Sequence, residues 1–221
     1  MNELDRGRRH TLLGAAALAA CAGLGGALPA MAQTRAPEEG TDYRAVKPQQ
    51  PVEAPAGKIE VVEFFWYGCP HCNQLDPILN DWSKKLPADV SLRKVHVPFR
   101  EVKHQQLYYT LETLGRAEEL GPKVFAAIHV DRNSLLSAES QAAFAEKHGI
   151  ERKKFVDTFN SFAVQTKMKR ASQLAEGYGL DGVPAFGVAG KYYTAPSMAG
   201  SNAAALKLVE ALVDRERKAR R

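Results

Sequence analysis

The sequence predicts an α/β fold whose sheet is interrupted by an all-helical insertion, and three observations carry that prediction. Residues 59–66 and 90–97 are β-branched and aromatic runs of strand length, and between them Leu75, Ile78, Leu79, Trp82 and Leu86 recur at helical spacing. Strand, helix and strand in that order give parallel neighbours joined by a right-handed crossover. The β pattern resumes only at residues 185–188. Before it, Leu107/Leu111/Leu114, Val124/Ile128, Ala142/Phe144/Ala145 and Phe155/Phe159/Phe162 form separate apolar stripes at helical spacing. With 221 residues, 45% hydrophobic and 25% charged, the chain suits one globular domain with an insertion. Wholesale disorder, collagen-like repeats and a coiled-coil array are excluded. The net charge of +5 is scattered and gathers only in a basic tail at residues 215–221. Such a tail is a solvated helix end, so no nucleic-acid partner is expected.

In chain order, residues 1–32 read as a cleaved signal peptide. Arg6, Arg8 and Arg9 form a positive start, residues 12–28 are an Ala/Gly/Leu run, and Ala30-Met31-Ala32 supplies the small residues a signal peptidase needs. As a membrane span the run is poor, because about 17 residues at 1.5 Å rise cover only about 25 Å. Two variants stay open: Leu18-Ala19-Ala20-Cys21 resembles a lipobox that would lipidate Cys21, and Arg8-Arg9 suits twin-arginine export. Residues 33–56, rich in Pro, Gln and Glu, read as an extended arm with a short edge strand at 43–46. Residues 57–101 form the first part of the sheet domain, where Pro77 should bend the helix. The helical insertion is expected over 102–180. Residues 181–221 return to the sheet through a strand after Pro184, a turn at Ala189-Gly190, a pairing strand at 191–193 and a last helix with Leu206, Val209, Leu212 and Val213 inward.

Chemistry concentrates in Cys69-Pro70-His71-Cys72. Cleavage of the leader leaves this pair as the thiols of the folded part, in an oxidising compartment. A purely structural staple this tight would contribute about 2 kcal/mol in the chain-entropy model, against about 3 for a 15-residue loop. Structural zinc needs four ligands, and no second Cys pair exists. His71, His96 and His104 would complete such a site only by coincidence of folding, so no metal and no cofactor are expected. Cys69 sits where the 59–66 strand turns into the helix, and Pro70 suits the first helical position because it lacks an N–H that would be unsatisfied there. Unpaired amides and the positive end of the helix dipole then favour a thiolate at Cys69, and His71 adds to the effect. Cys72, one turn inside, should be more buried and less reactive. The other histidines, including His104, His129 and His148, read as surface residues of helices.

These residues reach a family. Glu63-Phe64-Phe65-Trp66-Tyr67-Gly68-Cys69-Pro70-His71-Cys72, followed far downstream by Gly182-Val183-Pro184-Ala185, resembles the DsbA family of periplasmic thiol:disulfide oxidoreductases in the thioredoxin superfamily. The resemblance covers essentially the whole mature chain. It implies a thioredoxin fold carrying the helical insertion, a periplasmic location, and a cis peptide bond at Val183–Pro184 facing the sulfurs; an arbitrary X-Pro opening a strand would instead be trans. One departure stands out, since family members often carry Asn where this chain has Ala189, and Asn suits a positive φ better.

Glu63 shares a strand face with Ile59, Val61 and Phe65, and Lys94 shares one with Val90, Leu92 and His96, so both charges point where apolar groups point. The resemblance implies that Glu63 and Lys94 form a charged pair beneath the cysteines and relay a proton to or from Cys72; an ion pair serving only the fold is the other reading. The implied activity is donation of a Cys69–Cys72 disulfide to reduced secreted polypeptides through a mixed disulfide at Cys69. The strand after Pro184 would offer backbone groups to an extended peptide. Trp66, Tyr67 and Phe186 read as core. A quinone-linked membrane oxidase of the DsbB type is the implied reoxidising partner, and a monomer is expected. Were the Cys69 pKa depressed to about 4, the reduced form would be favoured by about 4 kcal/mol at pH 7 and would melt above the oxidised one. A reductase or isomerase shares the motif, but periplasmic isomerases add an amino-terminal dimerisation domain for which residues 33–56 are too short. A non-enzymatic binding module would not need two cysteines at a helix start.

Overall fold

The computed structural model describes residues 35–220. The leader at 1–32, with Cys21 and the Arg8-Arg9 pair, lies outside the described residues. The elements run β1 (Arg44–Ala45), β2 (Ile59–Phe65), α1 (Pro70–Ser83), β3 (Val90–His96), α2 (Val102–Thr113), α3 (Ala117–His129), α4 (Ala138–Lys147), α5 (Arg152–Phe159), α6 (Phe162–Gly177), β4 (Ala185–Val188), β5 (Tyr192–Thr194), α7 (Pro196–Ala199) and α8 (Asn202–Ala219).

Five of the seven residues of β2 are β-branched or aromatic, and all seven are buried. A strand buried on both faces belongs at the centre of a sheet, and β2 lies there, parallel to β3 and antiparallel to β4 in the order β1-β5-β4-β2-β3. Val61 packs with Leu75, Leu79, Phe186, Val209 and Leu212, the side covered by α1 and α8. Val62 and Phe64 pack with Leu107, Leu111, Val124, Phe155 and Tyr178, the side covered by the helices between β3 and β4. Each such Leu, Val or Phe contributes roughly 1.5–3 kcal/mol on full burial, which is what holds the helical segment to the sheet.

The expected strand–helix–strand unit is present with its parallel register, the edge strand at Arg44–Ala45 pairs with β5, and the helical stretch divides into α2 to α6. The helix α1 continues through Pro77. The short α7, opened by Pro196 and closed by Gly200 at φ 87°, had no apolar periodicity to announce it. At the β4–β5 turn Ala189 and Gly190 have φ of 54° and 70°, and the Lys191 N–H donates to the Val188 C=O at 2.9 Å. Ala189 therefore takes the left-handed conformation that its position demands and its Cβ opposes.

Candidate active site

Cys69 is the N-cap of α1 and Pro70 opens the helix. The cap is fixed by the sequence: β2 ends at Phe65, the Cys69 N–H donates to the Trp66 C=O at 3.0 Å, and the Cys69 C=O already accepts from the Asn73 N–H at 3.1 Å. Both cysteines are free thiols. Cys69 is 7% exposed and Cys72 wholly buried, whereas Pro70 and His71 are exposed. The far part of the chain closes the site, because the Val183–Pro184 bond is cis and the Cys69 thiol donates to the Val183 C=O at 3.4 Å.

The two sulfurs are driven apart in acidity. A hydrogen bond from the Cys72 thiol holds Cys69 down to about 6; burial opposes this, and the first-turn amides of Cys72 and His71 and the charge of His71 reinforce it. Burial pushes Cys72 up out of the range in which thiols titrate, and the neighbouring Cys69 and Glu63 charges push the same way. The less deeply buried sulfur is prepared as an anion and its neighbour is held as a thiol beneath it.

Under the pair, Glu63 and Lys94 are register partners on β2 and β3. The direct ion pair expected between them is not formed. The Lys94 ammonium donates to Asp76 Oδ1 at 2.7 Å and to Asn80 Oδ1 at 2.8 Å, both from α1. Strand periodicity puts two charges on one face but is blind to a third group arriving from the helix above. Asp76 carried a signal of its own, since a carboxylate between the inward Leu75 and Leu79 is a charge on an apolar face. Glu63 is 2% exposed, its Oε2 has no hydrogen-bond partner, and burial raises it to about 7, with Lys94 lowering and Asp76 raising it. It is a carboxyl poised between its two forms near neutral pH.

Three histidines depart from the sequence reading. His104 is buried, with its ring against Trp66 and Nε2 donating to the Ser134 C=O at 2.7 Å. His129 is half-buried and reaches the Tyr67 C=O, while His148, half-buried at the C-cap of α4, packs its ring edge on Phe144. His96 is fully buried and accepts from the Tyr67 N–H. Tyr67 and Phe186 are core, as expected, and Trp66 is half-buried. Among the described residues no group of three or more His, Cys, Asp or Glu is arranged to hold a metal ion, and no helix is long and apolar enough to cross a membrane.

Comparison with known proteins points to one family. The sequence model of the DSBA-like thioredoxin domain family matches residues 102–212. A thiol:disulfide interchange protein DsbA of Burkholderia cepacia is 42% identical over 198 residues, 89% of this chain and 91% of the relative. One from Bordetella parapertussis is 47% identical over 179 residues, 80% of this chain and 85% of the relative. Among solved structures, Pseudomonas aeruginosa DsbA superposes with a TM-score of 0.78 at 41% identity, covering 81% of this chain and 94% of that one.

Proposed function

The chain belongs to the DsbA family of thioredoxin-fold disulfide oxidoreductases, and on that premise we propose that it is a thiol:disulfide oxidase that gives its Cys69–Cys72 disulfide to newly secreted polypeptides. The observation that carries the reading is the opposite displacement of the two thiols, Cys69 down to about 6 and Cys72 upward. A sulfur that is stable as a thiolate is a good leaving group and shifts the balance toward the dithiol state, which is the property of an oxidant.

In the first step a substrate thiolate attacks Cys69 Sγ; the Cys69–Cys72 bond breaks, and Cys72, whose environment rejects an anion, takes a proton as it leaves. We assign its supply to the buried Glu63 carboxyl, whose acidity is raised to about 7, and give Lys94, held by Asp76 and Asn80, the part of tuning the charge around it. In the second step another substrate thiolate attacks the substrate sulfur of the mixed disulfide and Cys69 departs as a thiolate. The substrate dithiolate has then lost two electrons and the cysteine pair has gained them, leaving Cys69 as a thiolate and Cys72 as a thiol. The proton on Cys72 came from Glu63, which recovers one from solvent, while the substrate thiols gave theirs to solvent as they ionised. The peptide is received beside cis-Pro184, where the Val183 carbonyl faces Cys69 Sγ, the sulfur under attack. The signal peptide at 1–32 delivers the protein to the periplasm, and a quinone-linked membrane oxidase of the DsbB type takes the electrons back.

Equilibration with glutathione buffers of known potential tests this. An oxidising midpoint is expected; a strongly reducing one makes the protein a reductase. Cys72→Ser should accumulate a mixed disulfide when its Cys69 thiolate attacks a disulfide-containing polypeptide, because no second cysteine is left to resolve it, whereas Cys69→Ser should accumulate none and lose exchange activity.

A further inference from the structure

The turn that presents Cys69 is gripped by two histidines that the exchange chemistry does not use. The Tyr67 N–H donates to His96 Nε2 at 3.1 Å, and the Tyr67 C=O accepts from His129 Nε2 at 2.8 Å. These bonds hold the peptide groups on either side of Tyr67 and come from different parts of the fold, since His96 ends β3 and His129 ends α3. They also fix the tautomers. His96 Nε2 is an acceptor, so its proton is on Nδ1 and the ring is neutral; His129 Nε2 carries its proton.

Two features argue that His96 is kept for this bond. Its ring is fully buried among Phe65, Tyr67 and Tyr108, with centroids at 4.9, 5.0 and 5.9 Å, an enclosure that an apolar side chain would fill without penalty. Its Nδ1–H makes no well-formed hydrogen bond there, only a poor approach to the Val97 backbone, and a buried donor left unpaired costs roughly 1–3 kcal/mol. What the imidazole supplies in return is an acceptor for the Tyr67 N–H, which would otherwise be a buried orphan itself.

The held segment is short. Between the end of β2 at Phe65 and the start of α1 at Pro70 the chain reverses role from strand to cap, with the Cys69 N–H to Trp66 C=O bond as its own internal tie. Gly68 lies under the Trp66 ring so closely that a Cβ would stand 2.3 Å from it. Where the Cys69 sulfur sits relative to the first-turn amides and to Val183 is therefore set by how Tyr67 is pinned. We propose that His96 and His129 are positioning residues for the exchange sulfur, a two-sided clamp on Tyr67 that holds the β2–α1 turn in its exchange-competent conformation and ties the helical segment to the active site through α3. The proposal rests on Cys69 being the exchange sulfur.

The test compares His129→Leu, which removes the donor, with His129→Gln, which keeps an N–H of similar reach, and adds His96→Phe, which keeps the ring volume. Each full-length protein is titrated by thiolate absorbance at Cys69, equilibrated with glutathione and melted. His129→Leu and His96→Phe should lower the Cys69 ionisation constant roughly fivefold, the scale of one hydrogen bond, and make the protein less oxidising toward glutathione by a similar factor. His129→Gln should recover most of that change. Variants that melt earlier but titrate and equilibrate like the parent protein would overturn the clamp, and so would a His129→Gln protein indistinguishable from His129→Leu. If His96→Phe does not fold, the half-exposed His129 pair decides alone. A parent Cys69 that ionises like an ordinary thiol, with a reducing midpoint, instead removes the oxidase reading from which the clamp proceeds.

Discussion

At the residue scale the informative group is Glu63, a carboxyl that the fold buries without a hydrogen bond on one oxygen. Its acidity is raised from 4.5 to about 7 chiefly by burial, so the folded protein keeps a proton that the unfolded chain has released. Below pH 4.5 both states are protonated and nothing is lost. As pH rises toward 7 stability falls, and above 7 the penalty is level at about 3 kcal/mol. Glu63→Gln, neutral and of the same shape, should therefore be indistinguishable from the parent protein in denaturant melts at pH 4 and more stable by about 1–3 kcal/mol at pH 8. Equal stabilities at both pH values would mean that the carboxyl is charged and satisfied. The same substitution removes the proton donor proposed for Cys72, so it should slow disulfide donation at neutral pH while strengthening the fold. That opposition of stability and activity is the signature of a buried group retained for chemistry.

At the scale of elements, the β4–β5 hairpin carries a visible misfit. Ala189 sits at φ 54° beside Gly190 at 70°, in a two-residue turn that favours Asn or Gly at both positions. Relief of the Cβ clash of about 1 kcal/mol, less the extra chain entropy of glycine, predicts that Ala189→Gly raises stability by about 0.5 kcal/mol. Gly187, two residues earlier, should behave oppositely. A Cβ there would stand 2.5 Å from the Tyr178 ring in the middle of the sheet, so Gly187→Ala should lower stability by about 2 kcal/mol or more in urea melts. The misfit at Ala189 was legible in the sequence because turn chemistry is local. So were β2, α1 and β3, whose periods and caps are written in adjacent residues. The insertion was legible only as helices. In α2 every residue from His104 to Leu111 is buried, so it has no polar face to read, and a histidine taken for surface lies in the core. That His129 ends one helix at the carbonyl of Tyr67, or that Asp76 takes Lys94 from Glu63, is tertiary information that no local spacing holds.

For the whole molecule, the acidity of one sulfur couples the redox state to stability. With Cys69 lowered from 9.0 to about 6, rather than the about 4 the resemblance suggested, the thiolate favours the folded dithiol form by about 1 kcal/mol at pH 7 once solvent screening at the rim is allowed for. Closing the tight Cys69–Cys72 loop works the other way, contributing about 2 kcal/mol to the oxidised form at every pH. The order of the two melting temperatures at pH 7 is thus a contest of comparable quantities, and the decisive quantity is how their difference moves with pH. A depressed acid lends stability that is fully present above 9.0 and is lost as pH falls through 6. The disulfide form has no such group, and the remaining titrations, Glu63 among them, are shared by both forms to first order. Between pH 5 and pH 8 the reduced protein should therefore gain about 2 kcal/mol on the oxidised one, which for a domain of this size moves the difference in Tm by about 4–8 °C. Calorimetry of both forms across that range measures it. A difference that stays flat with pH would show that Cys69 ionises as readily in the unfolded chain, leaving the leaving-group ability on which disulfide donation depends without a source in the fold.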